Sequence, residues 1–395
     1  MAAVNPFISL NSWDEPGRIL QASDPVEIVT GTWQEWDRLE AALARYRQPS
    51  LDSTHPRGAA VGYFTYEGDY WFGFFPEMIA AAGEKPNDLW LQRRQQAERE
   101  LQRNESAAWQ SNFTRAEFER MVSRAQEYIT AGDIYQVNLA QRFSAPMQVN
   151  PYTLFEQLLW RSPAPGGAFL DTGERQILSS SPELFLRIRG QHIVTRPIKG
   201  TRPRSRDPLR DEQLAYELMT DPKELAELVM ITDLERNDLG RVCEYGSVAV
   251  TELIKLERYA QVFHLVSTVE GMLRPGISPL TALRECFPGG SISGAPKKRA
   301  CEIIAELEPC PRGIYTGAIG YFGFNGDAAF SIAIRTLIQE KNELHFHVGG
   351  GITADSIPAR EYEETLHKAA GMQLALEEYR RGAGERKTES EKTFS

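Results

Sequence analysis

The residues that could do chemistry in this chain begin with Lys199, which stands in Arg196-Pro197-Ile198-Lys199-Gly200-Thr201-Arg202-Pro203-Arg204. Proline fixes φ near −65° and glycine admits backbone that other residues avoid, so the segment reads as a shaped loop holding Lys199 and Thr201 at defined positions. A basic surface loop is the plain alternative. A lysine held in this way is a candidate nucleophile, which requires its amine to be neutral. An unperturbed lysine is almost wholly protonated at pH 7, so the site would have to favour the neutral form by burial or nearby positive charge.

Carboxylates form a second group. Glu361 and Glu364 are three apart in a helix whose start is signalled by Asp355, Ser356 and Pro358, so they share a face. Glu235 lies in another helical stretch, Asp233–Gly240. Acidic side chains converging from two helices are an oxygen-rich setting for Mg²⁺, while solvated helix faces with pairs such as Glu364–Lys368 explain the same pattern. Gly349, Gly350 and Gly351 lie between a strand pattern ending at Val348 and the acidic helix. Their N–H groups could approach an anion, or they could form a tight turn. Arg335 ends the apolar run Ser331–Thr336 and needs an anionic partner if buried, but none on an edge strand. His264 and Tyr315 read equally as core residues or as a catalyst and a hydroxyl donor. The loop Pro288–Lys297 could bind a carboxylate at the start of a helix and is too irregular for a Walker P-loop.

These residues need elements to position them. Thr114 and Glu117 have capping-box spacing ahead of an apolar stripe through Phe118, Met121, Val122, Ala125, Tyr128 and Ile129, with Gly132 as the stop. Strand patterns follow at Ile134–Phe143, Gln176–Arg189, His192–Pro197, Gly317–Phe324, Ala328–Ile338 and Leu344–Val348. Helical patterns lie between them at Leu209–Thr220, Pro222–Leu239, Pro279–Phe287, Lys297–Glu306 and Ala359–Arg380. Hairpin-like strand pairs with interspersed helices predict an α+β fold of antiparallel sheets, not a doubly wound parallel one. The division expected is an N-terminal αβ lobe over 1–110, a catalytic domain over 111–380 and a disordered polar tail over 381–395. Within the first of these, 82–112 reads as an exposed helix or linker.

Composition narrows the function. The 395 residues carry a net charge of −10, so no positive field exists to hold nucleic acid or anionic lipid. Four cysteines without C-x-x-C spacing suit a reducing compartment. No basic-then-apolar leader and no run of about 18 apolar residues is present, so a cytoplasmic protein away from membranes is expected.

Taken in order, Asp233–Gly240, Phe287–Lys297, Tyr315–Tyr321, Ser331–Thr336 and Gly349–Ser356 resemble the successive motifs of the chorismate-utilising enzymes. That family includes anthranilate synthase component I, aminodeoxychorismate synthase component I, and the isochorismate and salicylate synthases. The resemblance covers about residues 112 to 378. It implies two mainly antiparallel sheets packed face to face with helices outside, and an N-terminal lobe that is short for the family. No counterpart to the serine motif of the family's tryptophan pocket is found there, so tryptophan binding is not expected.

Two positions separate the branches. Gln136 stands where the isochorismate and salicylate synthases carry a water-activating lysine, and an amide cannot act as that base. Lys199 replaces the alanine typical of anthranilate synthases and resembles aminodeoxychorismate synthase component I. That branch implies attack of Lys199 on C2 of chorismate with loss of the 4-hydroxyl, then attack of ammonia at C4 to give 4-amino-4-deoxychorismate, on the way to 4-aminobenzoate and folate.

By the same resemblance Glu183 protonates the leaving hydroxyl, and Thr201 and His264 lie beside it. Glu235 and Glu364, with Glu361, hold Mg²⁺ on the ring carboxylate. Tyr315, Arg335 and Gly349–Gly351 take the second carboxylate, and Lys368 pairs with the acidic cluster. No G-x-C-x-G elbow occurs, so ammonia is expected from a separate glutamine amidotransferase subunit, and no C-terminal lyase domain is expected. Anthranilate synthase component I and a non-catalytic chorismate-binding module are the alternatives.

Overall fold

The computed structural model describes residues 6–49, 55–82, 109–147, 149–259 and 261–392. Most of the stretch expected as an exposed helix or linker, 83–108, lies outside the described residues. Two ten-stranded sheets carry the fold, and every strand pair in them is antiparallel. This is the α+β class that the hairpin-like strand pattern predicts. One sheet has Gln136–Pro146, Glu343–Ile352, Thr336–Glu340, Arg175–Ser181 and Gly166–Asp171 as consecutive neighbours, continued by Phe7–Asn11, Arg18–Ser23 and Ile79–Ala82. The other runs from Ile198–Pro203 through Val262–Met272, His192–Arg196, Leu184–Arg189, Ala328–Ile332 and Ala318–Gly323 to Ala59–Phe64, Tyr70–Phe75 and Glu27–Gly31. Strands from before residue 83 thus hydrogen-bond to strands beyond residue 165 in both sheets.

The layers follow from alternation of side chains along each strand. Ile8, Leu10, Leu170, Ile177 and Ile338 of the first sheet meet Val61, Tyr63, Phe75, Ile319 and Tyr321 of the second in one buried cluster between the sheets. The opposite faces are covered by helices. Leu154, Phe155 and Leu158 of Pro151–Arg161, with Met372, Ala375 and Leu376 of Pro358–Lys392, cover Phe346 and Leu344 of the first sheet. Trp36 and Leu39 of Trp36–Arg45, with Leu280 and Leu283 of Pro279–Cys286, cover Phe72, Phe74 and Phe330 of the second. The helix Arg115–Thr130 has the capping box predicted for it, with Thr114 accepting from Glu117 N–H at 3.3 Å and Glu117 accepting from Thr114 N–H at 2.8 Å. The final helix continues to Lys392, into the stretch that composition assigns to a disordered tail. Among the described residues no helix is long and apolar enough to cross a membrane.

Three segments differ from their sequence reading in ways that build the site. The Gln176–Arg189 pattern is two strands in different sheets, broken at Pro182-Glu183 where proline removes a ladder donor. Ala328–Ile338 is likewise two strands, crossing between sheets at Ala333–Arg335, and Arg335 takes a left-handed φ of 50°. The Lys199 segment is not a free loop but an edge strand, Ile198–Pro203, with a bulge between Lys199 and Thr201 where Gly200 has φ 67°.

Candidate active site

The strand crossings and the bulged edge open onto one cavity of about 720 Å³, lined by Glu183, Lys199, Thr201, His264, Tyr315, Arg335, Gly349, Gly351, Glu364 and Lys368. Segments far apart in sequence thereby bring ten of the thirteen expected site residues to one cavity. Glu235, Glu361 and Gly350 are not in that lining.

Lys199 extends from the bulged strand, and its amine donates to Ser291 O at 3.2 Å and stands 4.0 Å from Glu227. Beside it Glu183 is buried, and its Oε1 accepts at 3.4 Å from the N–H of Ile198, the residue before Lys199. Burial raises its carboxyl pKa, with Lys199 and Arg335 opposing the rise. Such a carboxyl stays protonated at higher pH than an exposed one and can act as a proton donor.

Arg335 lines the cavity with no carboxylate within ion-pair distance among the described residues; its guanidinium donates to Ser162 Oγ at 3.3 Å. Burial lowers its pKa, with Glu183 opposing. A largely enclosed guanidinium without a counter-ion suits an anionic ligand. Arg335 and Thr316, with φ of 50° and 59°, both take uncommon non-glycine backbone, and their segments are joined by the bond from Thr316 N–H to Ala333 O at 2.8 Å.

His264 Nδ1 lies 3.0 Å from Thr201 Oγ1 and 3.3 Å from Gly200 O, while Nε2 has no hydrogen-bond partner among the described residues. Burial and the nearby Arg335 bring its pKa down to about 4, so the ring is neutral at pH 7. With the carbonyl taking an Nδ1 proton, Nε2 carries the lone pair.

The acidic residues separate into two places. Glu235 is buried in the helix Pro222–Gly240, where it accepts from Thr195 Oγ1 at 3.1 Å and Gly290 N–H at 3.0 Å. Burial, then Asp238, raises its pKa to about 7. Its oxygens serve the protein interior, because the helix turns this residue toward the Gly290 loop. Glu361 is buried too, accepting from Ser356 Oγ at 2.7 Å. Glu364 reaches the cavity and pairs with Lys368 at 2.8 Å; burial works against its charge, but Lys368, Lys223 and Lys199 together outweigh it and lower the pKa.

Glu224 and Glu227, absent from the sequence reading, line the cavity beside Glu364. Their i,i+3 spacing repeats that of Glu361 and Glu364, and this was the available signal. Burial raises the pKa of Glu227 against the pull of Lys199 and Lys223, and Glu224 and Glu364 add to the rise. Oxygen donors crowded in this way fit a divalent cation that keeps part of its water shell. Among the described residues no three His, Cys, Asp or Glu side chains are already gathered as a metal cage.

The glycine run is not a turn. Gly349, Gly350 and Gly351 pair with Ala140, Leu139 and Asn138, while pairing on the other side stops at Phe346. The cavity-facing edge therefore lacks a ladder partner over the glycines. A Cβ on Gly350 would sit 3.5 Å from Glu364 Oε1 and 3.6 Å from Glu361 Oε2, whereas one on Gly351 would meet Gln136 Nε2 at 2.0 Å. The steric need for glycine is at Gly349, where a Cβ would meet the backbone oxygen Leu139 O at 2.5 Å; at Gly351 the Gln136 amide would have to swing aside, and at Gly350 the contacts with the carboxylates are of ordinary length.

A cavity framed by two antiparallel sheets, with an unpaired arginine at one wall and a cluster of glutamates and lysines at another, defines a binding site for a small anionic molecule. A profile of the family described as chorismate binding enzyme matches residues 10–374, and the chain belongs to that family. Anthranilate synthase component 1 of Thermus thermophilus is 48% identical over 271 residues, 69% of this chain and 59% of that protein. Aminodeoxychorismate synthase component 1 of Bacillus subtilis is 45% identical over 279 residues, 71% of this chain and 59% of that protein. The chain thus spans less than two thirds of the length of these relatives. The crystal structure of anthranilate synthase component I from Streptococcus pneumoniae aligns with TM-score 0.73 at 30% identity, covering 94% of this chain and 91% of that one.

Proposed function

We propose that this protein converts chorismate and ammonia to 4-amino-4-deoxychorismate, as an aminodeoxychorismate synthase component I. The observation that carries the reading is Lys199, whose amine lies in the cavity wall beside Glu227, with Glu183 held against the same segment through Ile198 N–H. The neutral amine attacks C2, forming an N–C bond as the ring double bonds shift and the C4–O bond breaks. Glu183 gives its proton to the departing oxygen, which leaves as water. Ammonia then attacks C4, the double bonds shift back and Lys199 is released.

Arg335 and Tyr315 hold one substrate carboxylate, and the open edge at Gly349–Gly351 offers it backbone N–H groups. His264, neutral and steadied by Thr201, accepts a hydrogen bond from the 4-hydroxyl through Nε2. Mg²⁺, held by Glu227 and Glu364 with Glu224, Glu361 or water completing its shell, would supply positive charge to the other carboxylate. In this reading the ammonia is supplied by a glutamine amidotransferase partner.

The second reading is anthranilate synthase component I, favoured by the 48% identity to the Thermus thermophilus relative against 45% to the Bacillus subtilis one. One assay separates them. The protein is incubated with chorismate, Mg²⁺, an ammonium salt and aminodeoxychorismate lyase, and the aminobenzoate isomers are resolved by chromatography. The expected product is 4-aminobenzoate, lost with Lys199→Ala by a factor on the order of 10³ or more. Formation of 2-aminobenzoate without the lyase would replace this reading with the second.

A further inference from the structure

His347 lines the cavity and has no part in the steps above. It lies on the strand Glu343–Ile352 one residue past Phe346, where pairing with Thr336–Glu340 ends. The residue is 5% exposed, and neither ring nitrogen has a hydrogen-bond partner among the described residues. Burial, followed by His345, Arg142 and Arg312, pushes its pKa well below 6.5, so the ring is neutral. A neutral imidazole offers one N–H and one lone pair. Folded proteins pair nearly all their buried polar groups, so a doubly unmet ring in a cavity wall is suited to a ligand.

The surroundings hold the ring in place. Tyr315 stacks on it with centroids 5.1 Å apart and planes 12° apart. Tyr315 is itself packed near the Arg312 guanidinium, 5.8 Å from its ring centroid, and Arg312 lies 4.7 Å over Tyr66 on its other side. Asn138, across the strand pair, also lines the cavity and has an unpartnered Oδ1. Its position 3.0 Å from where a Gly349 Cβ would stand puts it next to the open glycine edge.

We propose that His347 is a substrate-binding residue, its ring N–H donating to a carboxylate oxygen of the substrate lodged between Tyr315 and the glycine edge. The inference rests on the functional reading above, which supplies an anion with two carboxylates. Arg335 supplies the charge for that anion, and His347 supplies a directional contact without adding more. Ring stacking on Tyr315 fixes the angle of the N–H, so the pair distinguishes a planar carboxylate from a bulkier or uncharged group at the same place.

The test compares wild-type protein with His347→Phe, which keeps a ring to stack on Tyr315 but has no nitrogen, and with His347→Gln, which restores an N–H donor. Chorismate affinity by equilibrium titration, KM, kcat and Tm are measured for each. Expected for His347→Phe is a rise in Kd and KM of roughly tenfold or more, with kcat within about threefold and Tm retained, and partial recovery in His347→Gln. An unchanged Kd in His347→Phe while the wild type turns over chorismate would overturn the inference and leave the functional reading intact. A fall in Tm and kcat together, without a change in Kd, would make His347 a packing residue and overturn it as well. Wild-type protein that neither binds nor consumes chorismate would remove the functional reading and this inference with it.

Discussion

Glu183 and Arg335 occupy neighbouring crossings at which the chain passes from one sheet to the other. Ile332 N–H donates to Glu183 O at 3.1 Å, and Ser180 N–H donates to Arg335 O at 3.0 Å. The two crossings are thus stitched together by backbone, and an acid and a cation meet the same cavity from adjacent strands. A site built in this way depends on the sheets and not on a mobile loop, which favours preorganised charge.

The pairing gives a pH prediction. Burial holds Glu183 above the ordinary carboxylate range while Arg335 pulls it down, so activity that needs its proton falls as pH rises through that raised pKa. Removing the cation in Arg335→Met lets the pKa rise further, which moves the alkaline limb of kcat to higher pH while KM increases. Glu183→Gln lowers kcat by roughly 10²–10⁴ and abolishes that limb. Steady-state profiles of the three proteins decide the matter, and a limb unmoved in both variants would take the proton-donor role away from Glu183.

The carboxylates make a second set of predictions. Glu227→Gln and Glu364→Gln should each raise the Mg²⁺ concentration needed for half-maximal activity by about tenfold or more, whereas Glu235→Gln should leave it unchanged. Glu235 faces Thr195 and Gly290 instead of the cavity. Metal titrations of activity compare the three, and an increased requirement confined to Glu235→Gln would restore it as a ligand.

Glu235 also has a signature in stability. Its pKa of about 7 in the folded protein lies above the 4.5 of a free carboxyl, so the folded state holds the proton more tightly. The stabilisation is complete below about pH 4.5 and is lost as pH rises toward 7. Glu235→Gln cannot titrate, so its Tm should fall less than the wild type's over that window. Parallel Tm curves for the two proteins would count against a raised pKa at this position.

Much of this was legible in the sequence because it depends on local pattern. The capping box at Thr114, the apolar stripes and the alternating strands are set within a few residues and reappear in the fold. The strand crossings at Glu183 and Arg335 were not, since one continuous β pattern carries no mark of which sheet receives each half. The glycine run left an anion-binding backbone and a tight turn equally open, because glycine is punctuation in sequence, while its actual setting beside Gln136, Glu361 and Glu364 is a matter of tertiary approach. Glu235 and Glu227 lie on one helix, and only packing decides which of them faces the cavity.

His264 yields a negative expectation. With a pKa near 4 it stays neutral from about pH 5 upward, so the profile of kcat/KM should show no step at the ordinary histidine value of 6.5. His264→Phe should lower kcat by roughly 10² if its Nε2 orients the leaving hydroxyl. Rates across this range test both statements, and a wild-type step near 6.5 that disappears in the variant would show that the ring titrates there after all.

Arg312 is the strongest structural commitment near the site. It is 2% exposed, and its guanidinium donates to both oxygens of Glu308, to Ile292 O at 3.0 Å and to Asn138 O at 2.7 Å. Glu308 in turn accepts from Ala140 N–H at 2.9 Å. One side chain therefore ties the Gly290–Ile292 turn to the strand Gln136–Pro146, whose partners are the cavity glycines. Removing one member of a buried pair leaves the other charge without compensation, at a cost of about 3–5 kcal/mol. Arg312→Met should show that loss in urea unfolding, and Glu308→Gln a smaller one because the amide oxygen still accepts. The double variant should be less unstable than the sum of the two, since neither charge is then left alone. Additive losses would mean that Arg312 and Glu308 stabilise the protein through separate contacts and not as a pair.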